Sequence, residues 1–248
     1  MTFSERTVMF ARSFLLQSAF GPERMQALGF AWALDPWLVK LWGHDAAALA
    51  EARRRHLGCF NTNPYAVGFL LGMTCRLEEE AAAAPVAARA EKLSRLAALK
   101  GAASAGLAGA ADAFFWGALR PALAFAALLL GFIHFSLLPV ALYLVAWNAP
   151  ALWARWKGLA AGYAGGEKAV LDVCKMPAAE AAVTLRFSAL GLGAAAALVA
   201  SHSDALNENA RLLGGAALLI AVFAPERVGP WGVAGAVGVA RAVWEAGI

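Results

Sequence analysis

A long apolar stretch, repeatedly interrupted by helix-weakening residues, most constrains how this chain can fold. Residues 105–133 read AGLAGAADAFFWGALRPALAFAALLLGFI and include one acid, Asp112, and one base, Arg120. Glycine and proline weaken a helix unless close packing or a break requires them. In lipid, broken helices persist only where protein or a water-lined cavity surrounds the freed backbone groups. The stretch therefore predicts a membrane-embedded segment that other protein partly shelters.

The composition supports an apolar environment for the chain as a whole. Of its 248 residues, 61% are hydrophobic and 15% are charged, and the mean hydropathy is +0.60. Globular proteins are typically about 45–50% apolar and about 25% charged. The net charge of +4 is too small for the strongly basic face that nucleic-acid binding requires, so we expect no nucleic-acid partner. The prediction is an all-α integral membrane protein.

The charged residues are unevenly distributed, which predicts two regions. Residues 1–100 hold 12 of the 21 Lys and Arg residues. We expect this region to form amphipathic helices at the cytoplasmic side of the membrane. Residues 101–248 should form a transporter-like, membrane-embedded region of broken, re-entrant and spanning helices, with a hairpin around 105–147. The turn of that hairpin is expected near Arg120.

The spanning segments can be proposed from length and charge. Residues 121–147 are the best candidate, since a span needs about 20 predominantly apolar residues. Shorter or interrupted apolar pieces follow at 187–200, 212–224 and 230–247. Loop 148–180 carries several Lys and Arg residues, whereas loop 201–210 carries only acids, which favours a cytoplasmic position for the first loop.

Helices are predicted in the front half from apolar periodicity and from turn residues. They cover 4–20, a segment starting at Pro22 with a break at Pro36, and then 45–58, 64–77 and 81–100. In the last of these, Val86 and Leu96 are expected to face inward. Residues such as Asn63 and Pro64 are well suited to the start of a helix.

Two residues of the opening stretch have the chemistry of a sugar contact. Asp112 and Trp116 are four residues apart, so a helix would present them on one face. A carboxylate accepts hydrogen bonds from sugar hydroxyls, and an indole ring packs on the apolar face of a sugar. The alternative is structural: Asp112 caps a helix or pairs with Arg120, and Trp116 only packs.

Other polar residues are candidates for binding, each with a structural alternative. Asn61 and Asn63 could line a substrate path or serve only as helix caps. Arg53, Arg54 and Arg55 could dock an anionic lipid surface or a protein partner, or simply form a solvated face. The last two candidates, Glu23 and Arg24, are expected to contact another helix or subunit.

Several blocks of the sequence together resemble one protein family. In order they are RSFLLQSAF, ERMQALGFAWALDP, RRRHLGCFNTNPY, EEE at 78–80, and AGLAGAADAFFWGALRP, whose family counterpart resembles GPLAGIGDSLFWGTLRP. On these residues the chain resembles the IID membrane component of the mannose/fructose/sorbose family of bacterial phosphotransferase systems. The resemblance covers about residues 10–165, and the later residues are similar in hydropathy only.

The resemblance implies one subunit of a sugar permease. In the family, IIC and IID pair in the cytoplasmic membrane and form the sugar path, while IIB, phosphorylated by IIA, donates phosphate to the incoming sugar. This chain would be a multi-pass inner-membrane subunit of a hetero-oligomer that carries a mannose-type hexose. It departs from the family at Gly106–Leu107, Ala111 and Ala113. The alternative is therefore a transport-inactive scaffold that pairs with a IIC-like partner.

No catalytic residue is predicted in this chain. Under the resemblance it is a non-catalytic subunit of the phosphotransferase complex, and phosphate is carried by other subunits rather than by His56. The four histidines lack HxxxH or HExxH spacing, so neither a metal site nor a cofactor is expected. A third possibility is an intramembrane enzyme acting alone, but Ser104, His134 and Ser136 do not form a plausible nucleophile and base.

Overall fold

The computed structural model describes residues 1–133 and 137–175, and these residues are predominantly helical. The α-helices are α1 Phe3–Ser13, α2 Ala27–Trp42, α3 Ala46–Arg55, α4 Val67–Ala82, α5 Val86–Phe114, α6 Arg120–Ile133 and α7 Leu138–Lys175. A π-helical turn, Phe115–Leu119, lies between α5 and α6. Within the described ranges the only β-type pairs are isolated bridges, which is the all-α architecture that the sequence predicts.

Contacts divide the chain into two compact units. The described part of the first comprises Met1–Trp116 and residues 148–175, and that of the second comprises 117–133 and 137–147. The first unit therefore does not end at residue 100, where the composition changes. Residue 100 lies inside α5, which runs without a break from Val86 to Phe114.

The helix boundaries in the front half follow local capping chemistry. At the start of α1, Thr2 and Glu5 form a capping box in which the Thr2 backbone N–H donates to Glu5 Oε2 at 2.6 Å. Asp45 caps α3 by accepting hydrogen bonds from the N–H groups of Ala47 and Ala48. These polar residues satisfy helix N–H groups that would otherwise lack partners.

Several of the predicted helix boundaries are wrong. The helix predicted over 64–77 covers Val67–Ala82, and the one predicted over 81–100 covers Val86–Phe114. The first helix ends at Ser13 rather than at residue 20, and the next begins at Ala27 rather than at Pro22. The predicted break at Pro36 is also wrong, because α2 continues through it. Trp37 is almost fully buried directly after this proline, so tertiary packing outweighs the local cost of proline in a helix, about 3 kcal/mol.

The core of the first unit lies around α2 and α4. The helix α2 packs against α1, α3 and α4, and α4 also packs against α5. The largest buried side chains there include Phe30, Trp37, Leu70 and Leu71. On α5 the predicted inward position of Leu96 is confirmed, whereas Val86 is 81% exposed at the first residue of the helix.

Glycines bring α4 and α7 into close backbone contact. A Cβ atom on Gly68 would lie 2.1 Å from the Arg155 carbonyl oxygen, and one on Gly72 would lie 2.3 Å from the Leu159 carbonyl oxygen. The reciprocal holds for Gly162, whose Cβ would lie 2.2 Å from the Phe69 carbonyl oxygen. Only glycine permits this approach, so these positions fix how closely α7 packs on α4.

The second unit contains α6 and the first part of α7. The backbone at Arg120 is helical, so the turn predicted there is wrong. Within 1–133 and 137–175, no helix is both long enough and apolar enough to cross a bilayer. The candidate span 121–147 includes residues outside the described ranges. Also outside them are His134, Ser136, loop 201–210 and the apolar segments 187–200, 212–224 and 230–247.

Candidate functional site

The loop that precedes α4 is held in place by the turn that precedes α2. The Gln26 side chain donates to the Thr62 carbonyl oxygen and accepts from the Thr62 N–H, both at 2.9 Å. The Gln26 backbone N–H donates to the Phe60 carbonyl oxygen at 2.8 Å. Met25 has a positive φ of 51°, a strained conformation for a side chain of this size, at the point where the two segments pair. The loop 60–63 therefore has a fixed position.

Asn63 connects this loop to the polar residue of the opening stretch. Its Nδ2 donates to Asp112 Oδ1 at 2.8 Å, and its Oδ1 accepts from the Tyr65 N–H at 2.9 Å. The bond to Tyr65 closes a turn ahead of α4 and does not cap the helix, because α4 begins at Val67 and has Ala66 as its N-cap residue. The predicted helix-cap role of Asn63 is therefore wrong. Asn63 is 1% exposed, whereas Asp112 is exposed and keeps acceptor capacity.

Aromatic rings adjoin this pair. The ring centroids of Tyr65 and Trp116 are 5.5 Å apart at an interplanar angle of 44°, and those of Tyr65 and Phe115 are 5.0 Å apart. Trp116 is 39% exposed, so part of its indole surface is accessible. An amide, a carboxylate and an accessible indole together can bind a polyhydroxylated ring, with hydroxyls on the carboxylate and C–H groups on the indole.

A buried arginine from α7 supports the same loop. Arg155 Nη2 donates to the Pro64 carbonyl oxygen at 2.6 Å, and its guanidinium lies 4.6 Å from the Phe14 ring centroid. Arg155 is 6% exposed, and its backbone is the part of α7 that approaches Gly68. The close packing of α4 and α7 thus sets the position of the residue that follows Asn63.

The other predicted binding residues lie apart from this pair. Asn61 is exposed, and its side chain makes no hydrogen bond within the described residues. Glu23 and Arg24 are exposed on the turn before α2, rather than within a helix as expected. The Arg24 carbonyl oxygen accepts from the Phe60 N–H at 3.4 Å, so these two charges lie beside the loop of the candidate site.

The basic run on α3 does not form a uniform patch. Arg53 Nε lies 2.7 Å from Asp35 Oδ1, and Arg54 pairs with Glu51 on its own helix. Arg55 points inward, and its Nε lies 2.7 Å from Glu78 Oε1. Only the first two arginines are therefore accessible to a partner.

Glu78 is the centre of a buried polar cluster that the sequence reasoning did not predict. It accepts hydrogen bonds from Arg55, from Trp42 Nε1 at 2.9 Å and from His56 Nε2 at 2.9 Å. Lys100 Nζ lies 3.4 Å from His56 Nδ1, and a lysine donor at this nitrogen favours the neutral tautomer with the proton on Nε2. The available signal was the EEE block, within which only Glu78 lies on the buried face of α4.

The electrostatics of this cluster follow from burial opposed by pairing. Burial by itself raises the pKa of Glu78, but hydrogen bonds from Arg55 and His56 lower it to about 2. Burial lowers the pKa of Lys100 to about 8, against the opposing attraction of Glu78. Burial also lowers the pKa of His56 despite its bond to Glu78. His56 is fully buried, so a phosphate group could not reach it.

Sequence reasoning also missed the supporting role of Tyr65 and Arg155. Tyr65 directly follows the Asn-Pro pair, and an aromatic residue at the start of an apolar helix is a weak signal. Across 1–133 and 137–175, no group of three or more His, Cys, Asp or Glu side chains is arranged to hold a metal ion.

A model of the family described as PTS system mannose/fructose/sorbose family IID component matches residues 1–206. The chain belongs to this family. Membership confirms the resemblance carried by the sequence blocks, and it agrees with a helical membrane component as the fold class.

Curated relatives of this IID chain act on several sugars, according to their names. The mannose-specific EIID component of Escherichia coli K12 is 37% identical over 175 residues, and the fructose permease IID component of Bacillus subtilis 168 is 33% identical over the same length. Each match covers 70% of this chain, but only 59% and 61% of the respective relative. A sorbose-specific EIID component of Klebsiella pneumoniae is 33% identical over 66% of this chain and 58% of its own.

Two solved structures are similar to this IID chain. One, described as a membrane protein, has a TM-score of 0.68, and another, a complex of the mannose transporter ManYZ with microcin E492, has a TM-score of 0.60. Both are 29% identical in sequence, and both comparisons cover 100% of this chain and 98% of the other.

Proposed function

We propose that this chain is the IID subunit of a phosphoenolpyruvate-dependent sugar permease, and that with IIC it forms the path of a mannose-type hexose. IIB, phosphorylated by IIA, phosphorylates the sugar during uptake, and this subunit carries no phosphate itself. The complex lies in the bacterial inner membrane as a multi-pass hetero-oligomer. The mannose, fructose and sorbose names of the relatives support the substrate class.

The observation that supports this proposal best is the contact between Asn63 and Asp112. The two residues are 49 positions apart, yet the Asn63 amide donates to the Asp112 carboxylate at 2.8 Å beside the partly exposed Trp116. Because the Asn63 amide already holds this carboxylate in one orientation, little conformational entropy is lost when it accepts hydrogen bonds from sugar hydroxyls. Asn61, exposed on the same loop, is a further candidate contact.

We expect replacement of Asp112 by Asn to reduce hexose uptake by about tenfold or more. A hydrogen bond to a charged group contributes about 1.5–3 kcal/mol, and the neutral amide also presents a donor where a hydroxyl donates. The measurement is uptake of radiolabelled mannose in cells that lack other hexose permeases and express this chain with its IIA, IIB and IIC partners. Co-purification with IIC should be unchanged.

The matched control is Asp45→Asn, because Asn is as good a helix cap as Asp at that exposed position. It should leave both uptake and assembly intact. Normal uptake by Asp112→Asn would remove Asp112 from the sugar path. A complex that assembles but takes up no sugar even with the unaltered chain would favour the transport-inactive scaffold instead.

The exposed turn before α2 is the proposed contact with IIC. Glu23 and Arg24 are both exposed, and their backbone is joined to the loop of the candidate site. A subunit that completes a sugar path around Asp112 needs a surface close to this loop. An acid next to a base requires a complementary pair of charges on the partner, which favours one specific protein surface over non-specific electrostatic binding.

Reversing the charge of Arg24 on this turn should weaken assembly with IIC. We expect Arg24→Glu to lower the yield of IIC in co-purification several-fold, and more strongly at low salt, since the exposed charge acts over a Debye length. Lys92→Glu makes the same charge change at another exposed position and serves as control. Equal losses for both variants would show a general charge effect and would contradict the assignment of the turn.

The accessible part of the basic run is proposed to contact IIB or anionic lipid. Arg53 and Arg54 remain on the surface while paired with acids of this chain, so an incoming phosphate or carboxylate must compete with those pairs. Arg55 contributes through Glu78 to the stability of α3 rather than through direct contact. Exposed ion pairs are weak, about 0–1 kcal/mol, so such competition is feasible.

A further inference from the structure

Arg6 on α1 has a guanidinium group in which one donor is not satisfied. Its Nε atom is buried and has no hydrogen-bond partner among the residues that the structure describes. Its Cζ atom lies 3.8 Å from the centroid of the Trp156 ring and 5.7 Å from that of Phe3. Ring faces attract the positive charge, but they leave the in-plane N–H groups without acceptors. The side chain is therefore prepared for an anion.

A cavity of about 240 Å³ adjoins this guanidinium. It is lined by Met1, Thr2, Phe3, Arg6, Ala160 and Tyr163. The acids nearby already have partners: Glu5 pairs with Lys40 at 2.9 Å, and Glu79 accepts from the Tyr163 hydroxyl at 2.5 Å. Among the residues that the structure describes, no carboxylate side chain lines the cavity, so none of them neutralises the charge of Arg6 there.

Exposed apolar side chains are presented by Phe3, which lines the cavity, and by the α7 residues that precede Trp156. Phe3 is 71% exposed, and on α7 Trp153 is 64% exposed next to Leu152 at 42%. Phe3 and Phe10 both pack edge-on against Trp156, at centroid distances of 5.5 and 5.3 Å. Tryptophan beside arginine is typical of the interface between headgroups and acyl chains in a bilayer.

We propose that this cavity binds the phosphate group of an anionic phospholipid. Arginine can donate two parallel hydrogen bonds to phosphate, which would supply acceptors to the guanidinium N–H groups that face the cavity. The exposed Phe3 and Trp153 side chains would contact the glycerol and the start of the acyl chains. A free phosphate ion would satisfy Arg6 but would leave these aromatic surfaces in water, which is why the lipid is the occupant assigned.

The test is lipid binding by the full chain in complex with its IIC partner. Native mass spectrometry in a mild detergent would measure retention of phosphatidylglycerol, phosphatidylcholine of the same acyl length, and inorganic phosphate. We expect phosphatidylglycerol to be preferred, and Arg6→Gln to weaken its binding by at least about fivefold. Arg12→Gln is the matched control, because Arg12 lies on the same helix but donates to the Trp32 carbonyl oxygen.

A second variant removes the space and keeps the charge. Ala160→Phe would fill the cavity from α7 with Arg6 intact, and it should reduce phosphatidylglycerol binding as strongly as Arg6→Gln. Equal binding by both variants and the unaltered chain would overturn the proposal. The proposal would also be overturned if Arg12→Gln weakened phosphatidylglycerol binding as much as Arg6→Gln, because that would indicate a general charge effect. Preferential retention of inorganic phosphate would overturn it as well.

Discussion

Replacing Glu78 by Ala should lower the stability of the first unit more than any exposed substitution. The carboxylate is fully buried, and its loss leaves the part-buried Arg55 and the buried Lys100 without the negative charge that both face. Trp42 and His56 also lose their acceptor. Breaking one side of a buried ion pair costs about 3–5 kcal/mol. We expect the apparent melting temperature of the detergent-solubilised chain to fall by on the order of 10 °C.

The control for this experiment lies two residues along the same helix. Glu80→Ala removes a carboxylate whose pair with Arg76 is exposed, so its effect should be within about 1 kcal/mol. Similar losses for both variants would show that the cluster around Glu78 contributes no more than a surface pair.

The same cluster predicts a pH dependence. The folded pKa of Glu78 is about 2, below its usual 4.5, so its contribution is complete above pH 4.5 and is lost as the pH falls towards 2. The stability gap between the unaltered chain and Glu78→Ala should therefore narrow between pH 4.5 and pH 2. Lys100 affects stability at alkaline pH. Its pKa is lowered from 10.5 to about 8, so the free-energy cost of burying it falls as the pH rises from 8 to 10.5.

Replacing Gly72 by Ala should disrupt the packing of α7 on α4. The added Cβ would lie 2.3 Å from the Leu159 carbonyl oxygen and 2.6 Å from the Tyr163 nitrogen, so backbone must move. Overpacking of this kind costs about 1–3 kcal/mol. The displacement should also reach the loop of the candidate site, because α7 carries the Arg155 guanidinium that binds the Pro64 carbonyl oxygen. The apparent melting temperature and the rate of mannose uptake should both decrease.

The matched substitution is Gly101→Ala on α5, where a Cβ would meet no atom within 4 Å. There alanine should stabilise the helix by about 0.5–1 kcal/mol. The opposite signs of these two substitutions follow from the presence or absence of a facing backbone. Loss of stability at both positions would contradict that explanation.

The helical class and the local chemistry of the candidate site could be predicted from the sequence. The sequence singles out Asn63, Asp112 and Trp116, and in the structure Asn63 donates to Asp112 while the Tyr65 ring lies against Trp116. Asn63 does not cap α4, however, and Trp116 lies in the π-helical turn after α5. The contact between Asn63 and Asp112 joins residues 49 apart, and no local pattern encodes such a pairing. It depends on α4 packing against α5.

The outcome for the three adjacent arginines shows why charge alone is insufficient. Successive helix positions point about 100° apart, so Arg53, Arg54 and Arg55 meet acids on α2, on α3 itself and on α4 respectively. The run looks uniform in sequence, yet Arg55 points inward and is largely covered. At Pro36 a strong local signal fails for a related reason, since the burial of neighbouring side chains determines the helix.

The first unit is built from two segments that are separate in the sequence, and this affects how it folds during synthesis. A ribosome completes residues 1–116 well before it reaches 148–175, so the glycine surface of α4 emerges without the helix that covers it. Until α7 is made, Gly68 and Gly72 expose backbone that closes only against a segment translated later. Nascent chains halted before about residue 147 should therefore be the most prone to chaperone capture and proteolysis.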